Sequence, residues 1–185
     1  DKRTCPEGRY RADAHTDWVI EYLDGRKKKN PFFLFVSYIE PHHQNDHGHY
    51  EGPEGSKDRF KNFVAPGDLI DAEGDWREEY PDYLGCINSL DRNLGRIRDA
   101  LKHFGLAENT LLIYTSDHGS HFRRRNAEYN PSCHDGCIRV PLIAYGPGFE
   151  EGKAPNELVS LIDLPPTLLT AAGITPPDHM RGRPL

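Results

Sequence analysis

No apolar run in this chain of 185 residues approaches the ~20 residues that a membrane-spanning helix requires, so the sequence offers no candidate membrane segment. A basic balance is missing too. The formal net charge is −6 with 28% charged residues, and the only basic clusters are Arg26-Lys27-Lys28-Lys29 and Arg123-Arg124-Arg125. That pattern excludes a broad nucleic-acid face. The first cluster reads as the solvated last turn of a helix, where cations are favoured by the helix dipole. Cysteine is sparse: Cys5, Cys86, Cys133 and Cys137 do not settle the redox compartment. No internal repeat or low-complexity tract divides the chain, and its length suits one domain of the usual ~100–200 residues.

What is present is an alternation of helical and strand-like patterns. Residues Ala12 to Leu23 predict an amphipathic helix with Trp18, Val19, Tyr22 and Leu23 on one side, stopped by Gly25. Pro31 to Tyr38 reads as a buried strand running into Ile39-Glu40-Pro41-His42-His43. Between His42 and Trp76 the chain is rich in Gly, Pro and charge, with Phe60, Phe63 and Val64 as its apolar anchors. A loop of that length is expected to be functional or mobile. From Tyr83 to Phe104, Leu84, Ile87, Leu90, Leu94, Ile97, Leu101 and Phe104 recur at helical spacing, and Gly105 closes the run. Strand-like runs follow at Thr110 to Tyr114 and within Gly136 to Gly148, then a last apolar stretch from Leu158 to Leu169. This order predicts an α/β domain whose largely parallel sheet is flanked by helices. In such sheets ligands bind beyond the carboxyl ends of strands, where the His42 and Asp117 loops both fall.

Thr115-Ser116-Asp117-His118-Gly119-Ser120 places a carboxylate and an imidazole directly after a strand, with a Gly that permits a sharp turn. Such a pair suits a metal or catalytic site, and equally a capped turn. His42, His43, Asp46, His47 and His49 carry the ligand chemistry of a separate zinc site. Their irregular spacing favours instead His47 and His49 at a substrate mouth or facing water. Cys133-His134 and Cys137, with His121 nearby, allow another zinc reading; a packed or rim-lining Cys133 and a buried Cys137 are preferred. Asp91 and Arg92 fit structural roles on the long helix.

Five blocks, "PFFLFVSYIEPHH", "YLGCINSLDRNLGRIRDAL", "NTLLIYTSDHG", "IRVPLIAYGPG" and "VSLIDLPPTLLTAAGI", occur in an order that resembles the sulfatases of the alkaline-phosphatase-like superfamily. The resemblance implies that residues 1–185 form the C-terminal half of a sulfatase catalytic domain. The missing N-terminal half would be this chain's partner and would carry a formylglycine nucleophile made within a Cys/Ser-x-Pro-x-Arg motif. Cys5-Pro6-Glu7-Gly8-Arg9 is not that motif, because its Pro comes one residue early and no Asp-Asp pair precedes it. The resemblance further implies a divalent cation, Ca²⁺ foremost with Mg²⁺ the alternative, held from this half by Asp117 and His118. It implies a secreted or periplasmic protein.

His42 matches the family's catalytic His, which contacts the sulfate and helps protonate the leaving group. His43, Arg123, Arg125 and His134 are expected at the substrate, with Glu128 and Tyr129 as weaker candidates. The family's sulfate-binding Lys, thirteen residues after Asp117 and five before Asp135, is replaced here by Asn130. An amide donates hydrogen bonds but carries no charge, so an Arg among 123–125 would have to compensate. The expected activity is hydrolysis of an organic sulfate ester, in first place a sulfated glycan and otherwise a small molecule. The alternatives are a phosphate or phosphonate ester hydrolase of the same superfamily and a degenerate, non-catalytic binder of sulfated glycans.

Overall fold

Helix α1 occupies Arg11–Gly25 in a computed structural model that describes residues 3–26, 30–44, 46–123, 129, 132–149 and 152–185. Its buried stripe is Ala12, Ala14, Thr16, Val19 and Leu23, whereas Tyr22 is exposed. The stripe differs from the apolar pattern because α1 meets its neighbour partly through polar groups. Asp13 Oδ1 accepts from Asn93 Nδ2 at 2.8 Å and from Arg92 at 2.6 Å, and Asp17 accepts from Arg96. Those partners lie on the long helix.

A short helix, α2, covers Ser56–Phe60, and the long helix α3 covers Trp76–His103. The latter begins seven residues before the expected Tyr83 and carries Pro81 in its second turn, where one backbone donor is lost. Burial of Trp76 in an aromatic cluster offsets that loss. At the far end Gly105 takes φ +66°, and the amides of Gly105 and Leu106 bond the carbonyls of Lys102 and Leu101. This Schellman closure requires a left-handed residue, which explains the Gly. Val19 and Leu23 of α1 pack on Ile97, Ala100 and Leu101 of α3 to form one core.

Residues 31–39 run extended, as the apolar pattern suggests, but pair with no strand among the described residues. Phe32 and Val36 lie against the α1–α3 core, while Phe33 and Phe35 are 70% and 79% exposed. The expected buried strand is therefore covered on one side only. Strand β1, Leu112–Thr115, pairs antiparallel with β2, Leu142–Tyr145, from Leu112↔Tyr145 to Thr115↔Leu142. The α/β layering stands, but the parallel pairing expected of the sheet is not formed within the described residues. Among the described residues the connection from β1 to β2 holds a single helical turn, α4 (Asp135–Ile138), and no crossover helix, and the chain returns antiparallel.

The last helix, α5, spans Leu164–Ala171 with prolines in its first turn, where no amide donor is needed. The Ser160 backbone N–H donates to Asp163 Oδ2 at 2.9 Å and fixes the start of this segment.

Candidate functional site

Asp117 and His118 follow β1 directly. The loop is tied down at three points: Thr115 Oγ1 donates to the Pro141 carbonyl at 2.8 Å, Ser116 Oγ to the His118 carbonyl at 2.8 Å, and the Gly119 amide to the Cys137 carbonyl at 2.7 Å. The third tie demands glycine, because a Cβ at 119 would lie 2.1 Å from the Gly136 carbonyl oxygen. The turn thus hangs between the end of β1 and α4. The Asp117 side chain is 83% exposed. His118 donates Nδ1–H to the Gly119 carbonyl at 3.0 Å, which places the lone pair on Nε2, 3.7 Å from Asp117 Oδ2. An exposed carboxylate beside an imidazole nitrogen fits part of a divalent cation's ligand set, the oxygen suiting a hard ion.

His42 arrives from the end of the 31–39 segment. Its amide bonds the Ile39 carbonyl at 2.8 Å, and its Nδ1–H is donated to the His43 carbonyl. Two residues earlier, Glu40 is buried and accepts from Arg11 Nε of α1 at 3.2 Å. This ion pair anchors the base of the His42 loop to the helical layer. The result is that the rings of His42 and His118 stand 6.3 Å apart at 66°. Beyond the ends of β1 and the extended segment, therefore, two imidazoles and one carboxylate converge.

His43 is not at a solvent-facing mouth. It is buried, stacked on Tyr129 at 3.7 Å and edge-on to Tyr50 at 5.4 Å, within a cluster that includes Phe122 and Trp76. It thus sits in the aromatic layer next in sequence to His42. Tyr50 is itself buried, and its hydroxyl lies 2.6 Å from Ser120 Oγ, linking the His43 segment to the Asp117 loop. Tyr129 donates its hydroxyl to Asp75. Burial drives both phenols well above the usual tyrosine range, and in Tyr129 the hydrogen bond to the Asp75 carboxylate adds to it. Both are thus neutral scaffolding groups at physiological pH.

Arg123 does not carry an unengaged charge toward the site. Its Nε lies 3.7 Å from Asp75 Oδ2 and its guanidinium 4.6 Å over the Tyr129 ring. The acidic neighbour that binds it was not evident from sequence, since Asp75 lies far upstream. His134 is exposed at the start of α4, its carbonyl accepting the amides of Cys137 and Ile138. Asn130, Arg124, Arg125 and Glu128 lie outside the described residues. Cys137 is buried and Cys133 exposed, and Cys5 sits exposed ahead of α1 with its thiol toward the Arg9 carbonyl at 3.3 Å. Of the anchors expected between His42 and Trp76, Phe63 packs against the aromatic cluster, whereas Val64 is 92% exposed and Tyr50 and Leu69 are buried in addition. Arg11, Glu40, Tyr50, Ser120 and Asp75 are the positioning residues that the sequence pattern did not reveal. The one visible signal was a Glu two residues before His42, inside the "EPHH" block, whose burial only the structure shows.

The model of the Sulfatase family matches residues 2–174. The chain is 30% identical over 207 aligned positions to an arylsulfatase of Clostridium perfringens, covering 94% of this chain and 41% of that protein. It is 39% identical over 103 positions to an extracellular sulfatase SULF-1 homolog of Drosophila melanogaster, covering 54% and 9%. It also superposes on a Bacteroides thetaiotaomicron structure from work on the metabolism of multiple glycosaminoglycans. There the TM-score is 0.79 and the identity 26%, over 99% of this chain and 40% of that one. The chain thus spans less than half the length of each of these proteins. The fold is the alkaline-phosphatase-like α/β fold of those neighbours, present in part. With its residues 2–174 matched by the family model and Asp117, His118 and His42 drawn together, the chain belongs to the sulfatase family.

Proposed function

We propose that this chain is the C-terminal half of the catalytic domain of a metal-dependent sulfuric ester hydrolase acting on an organic sulfate ester, in first place a sulfated carbohydrate. The observation that carries the reading is the 6.3 Å approach of His42 and His118 beside Asp117, in a chain of the sulfatase family. Asp117 Oδ2 and His118 Nε2 would hold a divalent cation, Ca²⁺ or Mg²⁺, together with ligands from the other half. Such a cation withdraws charge from sulfuryl oxygens. His42, with its Nδ1 proton committed to the His43 carbonyl, has Nε2 to exchange a proton with the leaving oxygen. The formylglycine nucleophile belongs to the N-terminal half, for which the exposed Phe33 and Phe35 of the extended segment offer an apolar seat. Secretion or periplasmic export is supported by the extracellular relative, and a glycan substrate by the glycosaminoglycan context of the structural neighbour.

Assay of the parent protein on aryl sulfates and sulfated sugars, beside phosphate and phosphonate esters, tests this reading. Preference for sulfate, lost in Asp117→Ala and His42→Ala, supports it. Preference for phosphorus esters would move the activity to the superfamily's other chemistry, and tight glycan binding without turnover would identify a degenerate binder.

A further inference from the structure

The 44–51 loop carries a second group of metal-competent side chains, separate from Asp117 and His118. His47, His49 and Glu51 each present a ligand atom, and these atoms lie within 4.8 Å of one another. Of the five residues whose types suggested zinc in this stretch, His42 and His43 are turned to other partners, His118 and Tyr129 respectively. Glu51, which that reading did not include, completes the set with His47 and His49.

Three features show that the arrangement is held in place. His49 donates Nδ1–H to the Tyr50 carbonyl at 2.9 Å, which leaves the lone pair on Nε2, 4.0 Å from Glu51 Oε1. An imidazole oriented by a carbonyl on its other nitrogen is the usual outer-shell arrangement of a metal-bound His. His47 Nδ1 meets the same Glu51 oxygen, so one proton now bridges two groups that a cation would bridge instead. The backbone beneath is fixed as well. The Gln44 amide bonds the His49 carbonyl at 3.0 Å, the Tyr50 amide bonds Glu79 Oε2 at 2.7 Å, and the Glu51 carbonyl accepts from Tyr10 at 2.9 Å and Cys86 at 3.3 Å.

We infer that His47, His49 and Glu51 form a zinc site with three protein ligands and a fourth position open to water or an exogenous donor. Two imidazole nitrogens and a carboxylate oxygen suit Zn²⁺ better than Ca²⁺ or Mg²⁺. Tetrahedral bonds of about 2.0–2.2 Å set ligand atoms roughly 3.3–3.6 Å apart. The side chains of His47 and His49 are 60% and 45% exposed and can shift to that spacing without disturbing the core. Because Tyr50, between the ligands, bonds Ser120, the ion would stiffen the loop that flanks the candidate active site.

Zinc titration of the full chain by calorimetry, with Co²⁺ absorption as a second readout, tests the inference independently of the proposed activity. The background is Asp117→Asn/His118→Ala, which removes the other candidate ligands. One equivalent of Zn²⁺ should bind, with a tetrahedral Co²⁺ spectrum. His47→Ala, His49→Ala and Glu51→Gln should each weaken binding about tenfold or more. Absence of zinc binding in this background, or affinity unchanged by all three substitutions, would overturn the site. These ligands sit at the surface, so a far-ultraviolet dichroism spectrum matching that of the unsubstituted chain accompanies each variant.

Discussion

The hydroxyls of Tyr50 and Ser120 lie 2.6 Å apart although the residues are 70 positions apart in sequence. Through this bond the segment bearing His43 and His49 is fastened to the turn bearing Asp117. Tyr50→Phe keeps the ring in the aromatic cluster and removes only the bond, so it should cost about 1 kcal/mol. Ser120→Ala, which also loses the longer bonds of Oγ with the Tyr129 carbonyl and the Phe122 amide, should cost somewhat more, and the double variant no more than Ser120→Ala alone, as denaturant unfolding of the four proteins would read. Additive costs would mean that the two hydroxyls act separately.

Gly119 should tolerate no side chain. A Cβ there meets a backbone carbonyl at 2.1 Å, an atom that cannot swing away as a side-chain tip would. Gly119→Ala should destabilise by about 1–3 kcal/mol, the range for forced overpacking, and displace the Asp117 turn. Unfolding midpoints together with the His118 imidazole NMR resonances would register both effects. An unchanged midpoint and spectrum would show that the α4 turn yields.

The sequence was informative where periodicity and loop chemistry agree. β1, expected at Thr110 to Tyr114, lies at Leu112–Thr115, and α1 overruns its predicted span by a residue or two at each end. The nearness of the His42 and Asp117 loops was legible from each following an apolar run, although 31–39 pairs with no strand among the described residues. Long-range polar ties were not legible. No local pattern tells that Asp75 will take Arg123 and Tyr129, or that Glu40 will be buried under Arg11. The start of α3 at Trp76 lies ahead of the apolar repeat that begins at Leu84, and the burial of Trp76 against residues distant in the chain leaves no local pattern. The direction of strand pairing likewise depends on which partners are at hand.

Arg11 and Glu40 should prove unequal under substitution. Arg11→Ala leaves the Glu40 carboxylate buried without its cation and should cost about 2–4 kcal/mol. Glu40→Gln removes the charge with the shape kept and should cost less. The expected order, measured by thermal unfolding at neutral pH, is wild type above Glu40→Gln above Arg11→Ala. A reversed order would show that Arg11 contributes nothing to this anchor.

The four thiols should separate into two classes under native conditions, with Cys5 and Cys133 labelled rapidly and Cys86 and Cys137 only on unfolding. Burial pushes the Cys86 thiol up to about 11, outweighing the hydrogen bond with Tyr10 that lowers it. The folded state therefore holds this proton more tightly than the unfolded state. Its contribution to stability is complete below the unfolded value of about 8.5 and is lost as pH rises from there through the folded value. Cys86→Ser should flatten that alkaline decline in melting temperature. A decline of equal slope in the variant would assign it to other groups.

The 185 residues alone should turn over no sulfate ester. On the proposed reading Asp117 and His118 would supply two ligands, whereas a hard cation such as Ca²⁺ takes about six to eight, so the isolated chain should hold that ion weakly. Nor is Cys5 placed where the imidazoles converge, among the described contacts. Cys5 precedes α1, its thiol directed to the Arg9 carbonyl, and none of the described contacts brings it to His42 or His118. Catalysis by positioning requires the attacking group, the cation ligands and the proton donor in one site, and a single member confers little without the others. Assay of the purified chain beside the parent protein, with mass spectrometry of Cys5, decides the matter. Sulfate release by the chain alone, accompanied by formylglycine at position 5, would place the nucleophile in this half after all.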